Sequence, residues 1–267
     1  MKLLYLVPLS IVFTALIFFT GCGDNTAQTI APVETEQLSE QGQEEVPPTE
    51  RPASKPERPA SKPDHLASRA DSSKDLESMV ILVNKHNSLP SDYVPEDLVE
   101  VDISFPFEGA SDRKLMREDA AVHLEELFKQ AAREGLKLYG TSGYRSYQTQ
   151  EVIFARNVKK YGSKSAANRV SAYAGQSEHQ TGLAMDVTSP KVDFRLVQCF
   201  GDLPEGKWLV ENAADYGFII RYPRDKENIT GYTYEPWHLR YVGVRAAGEI
   251  AQKGKTLEQY HESDVWG

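Results

Sequence analysis

Apolar positions change their period several times along this chain, and each change predicts an element. Between residues 112 and 134, Ala120, Ala121, Leu124, Leu127, Phe128 and Ala131 recur at the three- and four-residue steps that line one face of a helix, and Gly135 ends the pattern. Similar spacing predicts helices over 147–161, 165–174, 205–216 and 244–253. Short runs rich in β-branched and aromatic residues predict strands over 137–140, 183–187, 218–222 and 238–242. Helices interleaved irregularly with so few strands imply an α+β fold.

The N-terminal part follows neither period. Lys2 precedes an apolar run over residues 3–19 that closes on Thr20, Gly21 and Cys22, the charged start, hydrophobic middle and small-residue end of an export signal. The junction resembles a bacterial lipobox, which would make residues 1–22 the signal and Cys22 the lipid-modified first residue of the mature protein. An uncleaved anchor helix is the competing reading, because the run approaches membrane-spanning length. Both readings place the remainder outside the cytoplasm, tethered to the membrane of a bacterial cell envelope. Residues 23–75 are dominated by Glu, Pro, Ser, Gln and Thr, too polar to bury the surface that would offset ordering entropy. Within them Arg51-Pro52-Ala53-Ser54-Lys55-Pro56 recurs as Arg58-Pro59-Ala60-Ser61-Lys62-Pro63, a low-complexity spacer. Residues 76–267 are enough for one domain with a substantial core.

Charge and cysteine usage narrow the function. The net charge is −9 and the predicted domain holds no basic block, which excludes nucleic-acid binding; a monomer that recognises its substrate locally is expected. If Cys22 carries lipid, Cys199 is the one cysteine left, so the fold must rest on its core without disulfides. Cys199 stands in the apolar stretch 196–200 and reads as a buried, inert thiol.

Candidate chemistry concentrates in Ser177-Glu178-His179-Gln180-Thr181-Gly182-Leu183-Ala184-Met185-Asp186 and in Glu235-Pro236-Trp237-His238. A catalytic zinc takes three His or carboxylate ligands, keeps a fourth position for water and needs a carboxylate nearby to accept a proton. His179, Asp186 and His238 supply the ligand types and Glu235 the base. Two neutral ligands and one anion leave the ion net positive, which acidifies water toward a pKa of roughly 7. Gly182 between the first two ligands argues against one continuous helix and for a loop entering the strand over 183–187. Pro236 likewise makes the second segment a turn entering a strand.

Together with Ser142-Gly143-Tyr144-Arg145-Ser146 and Gln150 upstream, these segments resemble the VanY-type D-alanyl-D-alanine carboxypeptidase family, whose relatives include LD-carboxypeptidases and VanX dipeptidases. The resemblance extends over roughly residues 79–244, through Leu82-Val83-Asn84-Lys85, Leu89-Pro90 and Lys114-Leu115-Met116-Arg117. It implies a small antiparallel sheet flanked by helices with a zinc cleft on one face. It also implies Zn2+ held by His179, Asp186 and His238, Glu235 as general base, and a transition-state role for Arg145. Hydroxide attack on a peptide carbonyl builds charge on oxygen, which a fixed guanidinium stabilises. Gln150 and Ser177 stand where the family places polar groups that hold the terminal D-residue, with Tyr144 and Trp237 as pocket walls or core aromatics. Ser146 reads as a helix N-cap. The implied activity is removal of the C-terminal D-Ala from peptidoglycan stem peptides. The alternatives are an LD-carboxypeptidase, a D-Ala-D-Ala dipeptidase, or a non-catalytic peptidoglycan-binding lipoprotein.

Overall fold

The computed structural model describes residues 79–262. The expected signal with Cys22 and the expected linker over 23–75 lie outside the described residues.

Six strands and seven α-helices are joined by several 3-10 turns among the described residues. In chain order the strands are β1 (Leu98–Glu100), β2 (Leu115–Arg117), β3 (Tyr139–Ser142), β4 (Ala184–Thr188), β5 (Phe218–Tyr222) and β6 (Glu235–Tyr241). The helices are α1 (Glu118–Arg133), α2 (Tyr147–Tyr161), α3 (Lys164–Ala167), α4 (Pro204–Asn212), α5 (Glu227–Thr230), α6 (Val244–Lys253) and α7 (Leu257–Glu262). β1 and β2 form an antiparallel pair, while the other four make an antiparallel sheet in the order β3-β4-β6-β5. This is the expected α+β architecture with a small antiparallel sheet.

The period-two alternation of strands sorts this sheet into two chemistries. Met185 and Val187 of β4, Leu239 and Tyr241 of β6 and Phe218 of β5 join the principal core with Met116, Ala120, Ala121, Leu124 and Leu127 from β2 and α1. Leu124 and Leu127 are fully buried, so truncating either to Ala should cost ~2–5 kcal/mol. The alternate positions, Asp186, His238 and Arg240, carry polar groups into the other side, and all three are buried. One apolar face anchors the sheet while the other presents chemistry.

Several expected elements shift, each for a physical reason. The helix expected over 112–134 begins only at Glu118, because Leu115, Met116 and Arg117 pair with β1. The helix expected over 165–174 is reduced to α3. Beyond it the Asn168 carbonyl accepts from Lys85 Nζ at 2.7 Å and the Ala172 carbonyl from Gln150 Nε2 at 2.7 Å, so tertiary donors replace helical ones. The helix over 205–216 is α4 followed by a 3-10 turn that stops at left-handed Gly217. The helices over 147–161 and 244–253 and the strand over 218–222 stand as expected. The remaining three strands are displaced by one to three residues at their starts, and β1, β2, α5 and α7 were not expected. Ser146 caps α2 by accepting from Thr149 N at 3.2 Å. Cys199 is half-buried against the principal core rather than buried.

Candidate metal-dependent active site

Strand register assembles the ligands. Asp186 and His238 are direct cross-strand partners on β4 and β6, which sets their side chains beside one another on the polar face. His179 arrives from the 3-10 turn Glu178–Thr181, which ends at Gly182 in the left-handed region at φ 69° and feeds β4. Glycine suits this position because the positive φ disfavours a side chain, and a Cβ would also lie 2.8 Å from Leu98 Cδ2 and push it aside. The result is one buried cluster whose ligand atoms from His179, Asp186 and His238 all lie within 4.8 Å of one another.

The hydrogen bonds around the two imidazoles show which nitrogen each presents. His179 Nδ1 lies 2.8 Å from the Gly143 carbonyl, an acceptor only, so Nδ1 carries the proton and Nε2 faces Asp186 Oδ2 at 3.3 Å. His238 is turned the other way. Its Nδ1 faces Asp186 Oδ1 at 3.0 Å, and its Nε2 faces Glu178 Oε2 at 3.4 Å. Both outward nitrogens meet acceptors while both inward nitrogens converge on one carboxylate, the arrangement metal-ligating histidines adopt. Burial and the neighbouring Arg145 hold the His179 pKa below its ordinary value, which keeps the ring neutral as a ligand must be. Burial opposes charge on His238 as well, but its bonds to Asp186 and Glu178 outweigh this and raise it to about 9. A proton there does the work a dication does better: it neutralises Asp186, whose carboxyl is held well below the usual range by His179 and His238 against the penalty of burial. The donor set of two imidazoles and one carboxylate suits zinc.

Glu235 reaches the same centre through an irregularity. Strict alternation would send Glu235 and His238 to opposite faces, but the register shift between Ile220 and Tyr222 of β5 breaks the parity of β6. Glu235 Oε2 consequently lies 4.0 Å from His238 Nδ1, the nitrogen turned toward Asp186. Burial raises its pKa to about 8, with Asp186 adding to the rise while His238 and Arg145 pull it down. A carboxylate that takes up a proton this readily beside the candidate ligands is suited, once ionised, to carry a proton from water to a leaving group.

Arg145 lies in the turn between β3 and α2, its backbone N–H donating to the His179 carbonyl at 3.1 Å. Its guanidinium is clamped: Nη1 donates to Gln150 Oε1 at 2.8 Å and Nη2 to Ser142 Oγ at 2.9 Å. Gln150 is itself buried and tied to the Ala172 carbonyl. The structure therefore places Gln150 as the anchor of Arg145. Beside Arg145 and Asp186 opens a cleft of about 460 Å³, whose walls include Tyr144, Phe194 and Leu196. Asp193 and Phe194 hold positive φ of 52° and 57°, uncommon outside glycine, and Phe194 packs edge-on to Tyr139 at 5.0 Å. Tyr144 is thus a pocket wall, while Trp237 packs against the core. Ser177 is buried just before the His179 turn and makes no capping bond there.

Sequence reasoning missed the groups behind the ligands. Glu178, Arg221 and Arg240 are fully buried on the far side of His238. The signal was present: Arg221 and Arg240 interrupt apolar strands, and long cations rarely lie inside without partners.

Comparison with known proteins follows the same residues. Residues 113–244 match the family model described as VanY, D-alanyl-D-alanine carboxypeptidase. The chain is 50% identical over 186 residues to the putative carboxypeptidase YodJ of Bacillus subtilis (strain 168), covering 70% of this chain and 68% of that protein. Among solved structures, the LdcB LD-carboxypeptidase is 49% identical with a TM-score of 0.67, covering 71% of this chain and 88% of that one. A VanY D,D-pentapeptidase variant from the VanB-type vancomycin resistance cassette, in complex with Zn(II), is 34% identical with a TM-score of 0.58, covering 69% of this chain and 99% of that one.

Proposed function

The chain belongs to the VanY family of D-alanyl-D-alanine carboxypeptidases, and from that premise we propose that it is a zinc-dependent carboxypeptidase removing the C-terminal D-alanine of peptidoglycan stem peptides. The observation that carries this reading is the convergence of His179 Nε2, His238 Nδ1 and Asp186 with Glu235 beside them. Bound zinc would supply a Lewis acid at these three ligands. Glu235 takes the proton from the attacking water, holds it in its buried site and returns it to the leaving amine. Arg145, fixed by Gln150 and Ser142, meets the charge that develops on the carbonyl oxygen. Because the guanidinium is held before substrate arrives, little reorganisation is left for the reaction itself. The intact ligand set and the buried base argue against a non-catalytic wall-binding role.

The residue before the scissile bond is a finer question. The sequence points to D-Ala-D-Ala, but the chain is 49% identical to an LD-carboxypeptidase and 34% identical to a D,D-pentapeptidase, which favours an L-residue there and a tetrapeptide substrate. Incubation with synthetic tetrapeptide, pentapeptide and free D-Ala-D-Ala, followed by mass spectrometry of released D-alanine, decides it. Rapid release from the tetrapeptide alone supports the LD reading, and release from the pentapeptide alone returns the chain to DD chemistry. No release from any of them would defeat the enzymatic proposal. We propose further that Cys22 anchors the enzyme by lipid on the outer face of the membrane. A Cys22→Ala chain that still took up labelled fatty acid would defeat that proposal.

A further inference from the structure

Behind the metal ligands lies a buried ionic network that the proposed reaction does not itself use. Glu178 Oε1 accepts from Arg221 Nε at 2.7 Å and from Arg240 Nη1 at 2.6 Å. Arg221 spends its other two nitrogens on Glu258, at 2.9 and 2.6 Å. Arg240 Nη2 donates to the carbonyls of Met79 and Ile81, at 3.0 and 2.8 Å, and Asn84 donates to Glu258 at 3.3 Å. The network therefore ties the first described residues and α7 to the back of the metal-ligand cluster.

Stability is a poor reason for such a cluster, because apolar side chains of similar volume would serve as well or better in a dry interior. Geometry offers a more specific one. Both arginines engage Glu178 through Oε1, and Oε2 faces His238 Nε2. A carboxylate there requires Nε2 to keep its proton, so the proton a metal ion displaces is the one on Nδ1, which faces Asp186 and His179. His238 is the ligand that needs this help: whereas a backbone carbonyl fixes the His179 ring, no backbone group among the described residues fixes that of His238.

We infer that Glu178 is a positioning residue of the metal centre, which holds His238 in the Nδ1-ligating tautomer while Arg221 and Arg240 clamp Glu178 in place. The inference rests on the zinc reading above. It separates two roles in adjacent residues, since His179 ligates while its neighbour Glu178 orients the ligand from the other strand.

Two variants of the full chain test it. Glu178→Asp keeps the charge the arginines need but draws the carboxylate back from His238 by one methylene. Glu178→Gln keeps the length and removes the charge. Zinc affinity is measured by chelator competition, folding of the metal-free protein by circular dichroism, and the state of His238 by 15N resonances of its ring. Loss of an outer partner of a ligating histidine typically weakens metal binding ~10- to 100-fold, and that loss is expected in both variants. In the unsubstituted protein His238 should be metallated at Nδ1 and protonated at Nε2. Should Glu178→Gln fail to fold, Glu178→Asp carries the decision. Unchanged zinc affinity in a folded Glu178→Asp protein, even with altered thermal unfolding, would assign Glu178 to stability alone and overturn the inference. So would metallation of His238 at Nε2. An unsubstituted chain that takes up no zinc would overturn the metal reading with it, which distinguishes the two failures.

Discussion

Arg145→Lys is the perturbation most directly shaped by the structure. The native guanidinium commits one proton of Nη1 to Gln150 and one of Nη2 to Ser142, leaving a second proton on each nitrogen and the Nε proton free to meet substrate. Lysine keeps a positive charge but ends in one nitrogen, which cannot hold both anchors and still present a planar pair of donors. Loss of a comparable oxyanion donor costs ~2.7–4 kcal/mol, so kcat should fall roughly 100- to 1,000-fold. The companion change Gln150→Leu removes one of the two clamps, a charge-assisted hydrogen bond worth ~1.5–3 kcal/mol, and should lower kcat by roughly 10- to 100-fold. Both effects act on the same guanidinium, so the double variant should be scarcely worse than Arg145→Lys. The assay is release of D-alanine from a synthetic stem peptide over a range of concentrations, with zinc content and circular dichroism as controls. A rise in KM with kcat unchanged would instead assign Arg145 to the substrate's terminal carboxylate. Additive effects would return Gln150 to direct substrate contact, and unchanged kinetics would remove Arg145 from the reaction.

Three further outcomes follow from the same geometry. His179→Ala should lose zinc and activity together, whereas His123→Ala should keep both, because His123 packs against Tyr241 outside the ligand cluster; metal analysis of the purified proteins decides it. Glu235→Gln should retain zinc while turnover falls ~10²- to 10⁴-fold, and an active variant would require another base. In the metal-free protein Glu235 is raised to about 8, so its folded form holds a proton that the unfolded chain releases near 4.5; its contribution is full below that value and is lost as pH rises toward 8. His238, raised to about 9, contributes stability that is full below its unfolded value of 6.5 and is lost as pH rises through 9. Metal-free stability from these groups should decline from pH 5 to 9, while zinc, which displaces the His238 proton, should bind more tightly over the same interval. Thermal unfolding with and without zinc across that range tests both signs, and a zinc affinity independent of pH would contradict the protonated His238.

Local chemistry was legible in the chain. The spacing from Ala120 to Ala131 implied α1, Ser146 marked the start of α2, and Gly182 marked the break before β4 because its left-handed φ is a local demand. The ligand types were legible too, since two imidazoles and a carboxylate with a second acid nearby answer to zinc wherever the backbone takes them. Only the tertiary structure decided how they meet. Asp186 and His238 are 52 residues apart and become neighbours through strand register, which depends on pairings no local window contains. The shift between Ile220 and Tyr222 turns Glu235 inward against the alternation of its own strand. Distant donors, Lys85 Nζ and Gln150 Nε2, took up the carbonyls of Asn168 and Ala172 and ended a helix that the local pattern extended to residue 174. Gln150, a candidate substrate contact by sequence, was placed against Arg145, and Glu178 emerged behind His238, for one reason: a hydrogen-bond partner is fixed by position in space, and sequence supplies only the donor or the acceptor.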